Sequence, residues 1–203
     1  MLPSEYYEIE SYPNIKHVFE KQLDMLFNDL RCMLKSPLPG CSSGYNLSIT
    51  MIILNLFSGF SRRLFRPNAR LVDNERYILM LEEFFPWDGE TLSPTDCSEM
   101  LYGAVRNPLT HELGIKGKYK VNLIKNGRSS DNEIKELEDS LLKPTWLPQI
   151  FSNVLICQDL YEKHISITGL YWGTHRLLHK LLADTNHASR AEAGFKKIIR
   201  QAK

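Results

Sequence analysis

The sequence predicts an all-α fold, a helical bundle of about five helices, and three observations support this prediction. Long segments repeat apolar side chains every three or four positions, which is the spacing of one helix face. Prolines stand between several of these segments and mark where helices end. The composition, with 43% hydrophobic and 24% charged residues, is that of a globular protein. A chain of 203 residues is long enough to bury one core without a disulfide or a metal.

The first predicted helix runs from about Asn14 to Leu34. Pro37 and Pro39 follow it and cannot continue the hydrogen-bond ladder, so the helix ends before them. Its apolar residues form one stripe on a helix: Ile15, Val18, Phe19, Leu23, Leu26, Phe27, Leu30 and Leu34.

The segment from Leu47 to Phe60 is apolar nearly all round. Its β-branched residues make a strand the alternative, but the segment is long for a strand. We therefore favour a central, fully buried helix. A shorter amphipathic helix is predicted from Glu75 to Phe85, directly before Pro86.

A helix start signal follows at Ser93, a candidate N-cap with Pro94 at the first helical position and Asp96 at the third. The helix meets a proline at Pro108, which has no amide hydrogen and clashes with the carbonyl four residues earlier. We therefore expect the chain to kink or restart near Asn107, itself a candidate cap for the new turn.

We expect one domain over residues 1–203, with a core at about 14–115 and an insertion at about 116–148. The insertion contains the tight-turn dipeptide Asn126-Gly127, so it forms a small hairpin or an irregular loop. The remainder, about 149–203, is predicted as a C-terminal helical extension. Its two helices are expected from Gln149 to Ala183 and from Ala188 to Lys203.

Charge and targeting signals restrict the class of protein. A formal charge of +1 argues against nucleic-acid binding by bulk electrostatics, but it permits a local phosphate site.

The first ten residues are acidic and lack an apolar segment, so we expect no secretory signal. No apolar run approaches the ~20 residues that span a bilayer. Four irregularly spaced cysteines indicate reduced thiols, so we expect a cytoplasmic protein with no membrane contact, metal or cofactor.

One segment combines residues that suit RNA chemistry: Arg106, Asn107 and His111, at the expected helix break. Histidine takes or gives a proton near neutral pH, and arginine offers a planar fork for phosphate oxygens. Asparagine orients either partner by hydrogen bonds. In RNA the 2′-hydroxyl is a built-in nucleophile, so His111 would move the proton while Arg106 stabilises charge on the phosphate. DNA lacks this hydroxyl, and no metal is needed.

The pattern L-Y-x-x-V-R-N-x-x-x-H-x-L-G, from Leu101 to Gly114, resembles the motif helix of the HEPN (higher eukaryotes and prokaryotes nucleotide-binding) superfamily. The resemblance covers about residues 14–115. It implies a helical bundle that pairs as a homodimer, with two motif copies forming one metal-independent endoribonuclease site. It also implies 2′,3′-cyclic phosphate products and a toxin–antitoxin or antiviral setting, with an antitoxin or neighbouring regulatory protein as a further partner.

A basic segment directly after His111 contains Lys116, Lys118 and Lys120 with no acidic residue between them. One interpretation is a track for RNA phosphates that leads away from the site. The alternative is a solvated hairpin whose charge is balanced by the acidic residues at 131–139.

Two alternatives to an enzyme stay open at this point. In the first alternative, the chain is a catalytically inactive HEPN-like module that binds nucleotide, RNA or a partner protein, as the long C-terminal extension suggests. Otherwise it is a purely structural bundle, in which Arg106 is an ordinary surface residue and His111 is bonded to a nearby carbonyl.

Overall fold

The computed structural model describes residues 7–35, 45–88, 90, 92–111, 119–122, 156–158 and 163–202. They form a helical bundle, as predicted, and a small three-stranded sheet. The helical elements are α1 (Pro13–Val18), a first π segment (Phe19–Leu23), α2 (Asp24–Lys35), α3 (Asn46–Arg63), α4 (Asp73–Phe84), α5 (Pro94–Met100), a second π segment (Leu101–Arg106), α6 (Asn107–His111), α7 (Ile167–Ala183) and α8 (Thr185–Gln201).

The first predicted helix is confirmed, since α1, the first π segment and α2 follow one another without a break. In the π segment the ladder lengthens by one residue, and the Asp24 amide donates to the carbonyl of Phe19. Most of the predicted stripe is buried in the core, but three of its members, Val18, Leu23 and Leu26, are only half-buried.

The N-terminus of α1 is capped by a carboxylate from α8. Tyr12 precedes the helix and provides no side-chain cap. Instead, the buried Glu192 accepts hydrogen bonds from the backbone amides of Asn14, at 3.1 Å, and Ile15, at 3.2 Å, and from the side-chain amide of Asn14. A negative charge at a helix N-terminus also favours the helix dipole, so this contact holds α8 against α1.

Helix α3 confirms the helical prediction at 47–60, but the prediction that it is fully buried is wrong. Leu47 and Met51 are 47% and 37% exposed, and Asn55 and Gly59 are exposed as well. These positions lie four apart, so they share one face of the helix that points away from the core. The opposite face, which includes Ile53 and Phe57, is completely buried.

The sheet corrects the prediction for the C-terminal third. Strands β1 (Tyr119–Asn122), β2 (Ile156–Gln158) and β3 (Lys163–Ser166) form a sheet in the order β1-β3-β2, parallel between β1 and β3 and antiparallel between β2 and β3. A helix from Gln149 is therefore wrong at 156–158 and 163–166, where backbone groups pair between strands, and α7 begins only at Ile167. The expected turn at Asn126-Gly127 lies outside the described residues.

Helix α7 is the buried centre of the bundle and contacts α3, α4 and α8. Gly173 lies on it, and the helix continues through this position. A Cβ atom at Gly173 would lie 2.1 Å from Cζ of Phe85, so the ring at the end of α4 occupies the space of a side chain. Phe85 is itself buried and packs edge-on against Phe57, at 5.7 Å, and beside Trp87, at 4.5 Å.

A histidine is enclosed among aromatic rings on the same helix. His175 is completely buried, and its Nδ1 is hydrogen-bonded to the Tyr7 hydroxyl at 2.5 Å. The Phe27 ring stacks on it at 4.2 Å, and the Tyr171 ring meets it edge-on at 4.7 Å. Burial disfavours the charged imidazolium and lowers the pKa of His175 to about 3.

We expect Gly173→Ala to destabilise the protein by about 1–3 kcal/mol, because the new methyl group must displace a packed ring. The midpoint of urea unfolding measures this loss. The matched control is Gly59→Ala on the exposed face of α3, where no atom lies within 4 Å of the new Cβ. That change should be neutral or stabilise the helix by up to about 1 kcal/mol. Equal effects at both positions would contradict the packing argument.

We also expect acid destabilisation from His175. Its pKa is about 3 in the folded chain and near 6.5 when unfolded, so the unfolded state binds more protons between these values. Stability is therefore lost as the pH falls below about 6.5, by about 1.4 kcal/mol per pH unit from this group. Urea titrations at pH 7, 6 and 5 should show a shallower pH dependence for His175→Gln than for wild type. The same pH dependence in both proteins would contradict this argument.

Candidate functional site

The helix that carries the candidate site begins where the sequence predicts. Ser93 is the N-cap, and its hydroxyl accepts a hydrogen bond from the Asp96 amide at 3.1 Å. Pro94 occupies the first helical position, which needs no amide hydrogen. From there α5, the second π segment and α6 form one continuous helical stretch.

The proline of the motif is accommodated by a change of winding. The second π segment ends at Arg106, and the Asn107 amide donates to the carbonyl of Tyr102, five residues earlier. A wider winding directly before Pro108 relieves the clash that its ring would make in a regular α-helix. The winding changes at Asn107, but the helix does not restart there, and a capping role for Asn107 is wrong. Its φ of −63° and ψ of −49° are helical, so it lies inside the helix.

Arg106 is held by two side chains of its own helix. Its Nη1 donates to Oδ1 of Asn107 at 2.8 Å, and its guanidinium carbon lies 5.4 Å from the centre of the Tyr102 ring. This is within the range of a cation–π contact. The side chain is half-buried, and its Nε is buried without a hydrogen-bond partner among the described residues. The charge of Arg106 is thus fixed in position.

A second tyrosine supports this arrangement from α4. Tyr77 is buried, and its ring lies 5.1 Å from that of Tyr102. Burial raises the pKa of the Tyr77 hydroxyl, and the nearby charge of Arg106 opposes this shift. Tyr77 therefore stays neutral, and its ring packs against the Tyr102 ring that Arg106 contacts.

His111 occupies a different environment. It is exposed, in the last turn of α6, and it forms no hydrogen bond with Arg106 or Asn107. Five positions are more than one helical turn, so the two side chains point in different directions from the helix axis. A single copy of the chain therefore joins Arg106 and Asn107 by a hydrogen bond, whereas Arg106 and His111 do not face each other.

The predicted RNA track is largely untested by the structure. Lys116 and Lys118 lie outside the described residues, and Lys120 lies in β1, where its backbone pairs with that of His164 in β3. Arg62, in the last turn of α3, forms an ion pair with Asp73 at 2.6 Å and is therefore used within the fold.

Metal ligation receives no support from the described part of the chain, which contains no cluster of three or more candidate ligands. His175 and His179, four apart on α7, differ in environment, because His175 is buried and His179 is exposed. Cys97 is buried and Cys32 is exposed, and both are free cysteines. None of the described helices combines the length and apolar character needed to cross a bilayer.

The contacts of two tyrosines at the site were not predicted from the sequence, although Tyr102 is part of the motif pattern. Tyr102 precedes Arg106 by four positions, and this spacing places both on one helix face, so the signal was present. Tyr77 comes from another helix, and no local pattern connects it with Arg106. Comparison of the chain with protein-family models, with curated proteins and with solved structures gave no match in any of the three. The resemblance to the HEPN superfamily therefore depends on the residues of the motif helix.

Proposed function

We propose that the protein is a metal-independent endoribonuclease that acts as a homodimer. The observation that carries the proposal is the half-buried guanidinium of Arg106, held by Asn107 and Tyr102 on the helix that also bears the exposed His111. A fixed cation stabilises charge that develops on a phosphate at little cost in reorganisation. Nη2 of Arg106 forms no hydrogen bond with a described residue, and we assign it as the donor to a phosphate oxygen.

The proposed reaction is transesterification within RNA. One imidazole removes the proton of the 2′-hydroxyl, and the oxygen attacks phosphorus. The bond from phosphorus to the 5′-oxygen breaks, and a second acid protonates that oxygen. The products are a 2′,3′-cyclic phosphate and a 5′-hydroxyl.

Attack and departure occur on opposite sides of phosphorus, so base and acid must lie on opposite sides of the substrate. One His111 cannot occupy both positions at once, and a second copy of the chain would supply the other. The homodimer thus explains why Arg106 and His111 need not meet within one chain. The resemblance extends this proposal to a cytoplasmic role in toxin–antitoxin or antiviral systems, with an antitoxin or a regulatory protein as partner.

The test is incubation of mixed RNA with purified protein in excess chelator, followed by analysis of the RNA ends. Wild type should leave cyclic phosphates, and His111→Ala and Arg106→Ala should each lower the cleavage rate by at least about 100-fold. Far-UV circular dichroism should show unchanged helical content for both variants. His17→Ala, at an exposed histidine outside the motif, is the matched control and should cleave as wild type does. Undiminished cleavage by both motif variants would refute the assignment.

Asn107 has a positioning role in this proposal, because it touches Arg106 and not the RNA. Asn107→Ala should reduce cleavage, whereas Asn107→Asp keeps an oxygen that accepts from Arg106 and should restore part of the rate. Equal loss in both variants would argue against positioning through this hydrogen bond.

A second candidate function is binding of RNA or nucleotide without catalysis. The observation that favours it is that Arg106 already donates to its own neighbour, while His111 stands apart. In this case wild-type protein leaves RNA intact but binds a labelled oligonucleotide. Binding would then be weakened by Arg106→Ala and unaffected by His111→Ala.

A further inference from the structure

An apolar cleft of about 450 Å³ opens between α3 and the continuous helix formed by α1, the first π segment and α2, with α7 and α8 at its base. Eleven of its fifteen lining residues are Ile, Val, Leu or Phe, and all fifteen belong to the described part of the chain. Sites for small molecules are typically clefts of roughly 300–1,000 Å³ with apolar walls and a few polar groups. The cleft has the size and composition of such a site.

Its walls present apolar surface that the core does not use. Val18, Leu23 and Leu26 belong to the apolar stripe of the first helix, yet they are only half-buried, as is Ile52 on α3. At Gly59, on the α3 wall, an added Cβ would meet no atom within 4 Å. The space above this glycine is therefore open, and a side chain placed there would enter the cleft.

The polar groups of the cleft lie at its exposed edge. They are Gln22, Asn55 and Arg63, and no acidic residue is among the lining residues. Asn55, Gly59 and Arg63 are four apart, so they follow one edge of α3. Arg63 forms no ion pair with any described residue, whereas its neighbour Arg62 is paired with Asp73. One cation therefore stands at the end of an apolar cleft without a counterion in the described chain.

We propose that this cleft binds a small amphipathic carboxylate, with its apolar chain against the helix walls and its head group on Arg63. The single positive charge matches a singly charged head, and the guanidinium accepts a carboxylate through two parallel hydrogen bonds. Burial of the apolar chain against the half-exposed side chains of α1, α2 and α3 contributes favourable binding free energy. This site uses none of the residues assigned to RNA cleavage, so it stands or fails independently of that function.

The test is isothermal titration of the whole protein with decanoate and with decanol, an uncharged molecule with the same chain. Decanoate should bind saturably below the concentration at which it aggregates, and more tightly than decanol. Arg63→Gln should weaken decanoate by about tenfold, the effect of losing one charge-assisted contact, and leave decanol unchanged. Arg62→Gln is the matched control, because this arginine does not line the cleft, and it should bind decanoate as wild type does.

Gly59→Leu fills the cleft and should weaken both ligands by at least about tenfold, with an unfolding midpoint near that of wild type. If this variant does not fold, Ile52→Phe on the same wall replaces it. Absence of saturable decanoate binding, or equal losses for Arg62→Gln and Arg63→Gln, would overturn the proposal. Self-association of the wild-type protein that Gly59→Leu abolishes would also overturn the proposal, because a second copy of the chain would then occupy the cleft.

Discussion

The close approach of α7 to the end of α4 is the constraint on which the rest of the structure depends. At Gly173 the absent side chain is replaced by the ring of Phe85, and this ring also packs against Phe57 of α3. Three helices therefore meet through one aromatic side chain. Since packed interiors tolerate little change in volume, the position of α4 relative to α7 is fixed at this point.

The geometry of the candidate RNA site depends on the position of α4. The helix fixed by Phe85 also carries Tyr77, whose ring packs against that of Tyr102, and Arg106 contacts the Tyr102 ring. The π winding before Pro108 lets the motif continue as helix, so Arg106 and Asn107 stay adjacent and bonded. The fold thus positions a charge, while the exposed His111 remains free of that arrangement. A site completed by a second chain would need this separation of Arg106 from His111.

The sequence predicted what depends on local chemistry and missed what depends on partners. Apolar spacing located the helices, and Ser93 with Pro94 marked a helix start, because these signals act within a few residues. The strands β2 and β3 were missed because such short segments are stabilised mainly by pairing with each other and with β1. The π segments keep helical backbone angles and have no composition of their own. The exposed face of α3 was not predicted, because apolar residues occupy both faces of this helix.

The cap that Glu192 provides to α1 has a consequence for the order of folding. The amide that it binds belongs to Asn14, 178 positions earlier in the chain. During synthesis the residues of α1 leave the ribosome long before Glu192 is made, so that helix end lacks its carboxylate cap until α8 has emerged. Closing so long a loop is slow compared with forming a helix. The bundle is therefore completed late, and a nascent chain that lacks α8 presents the uncapped helix to chaperones and proteases.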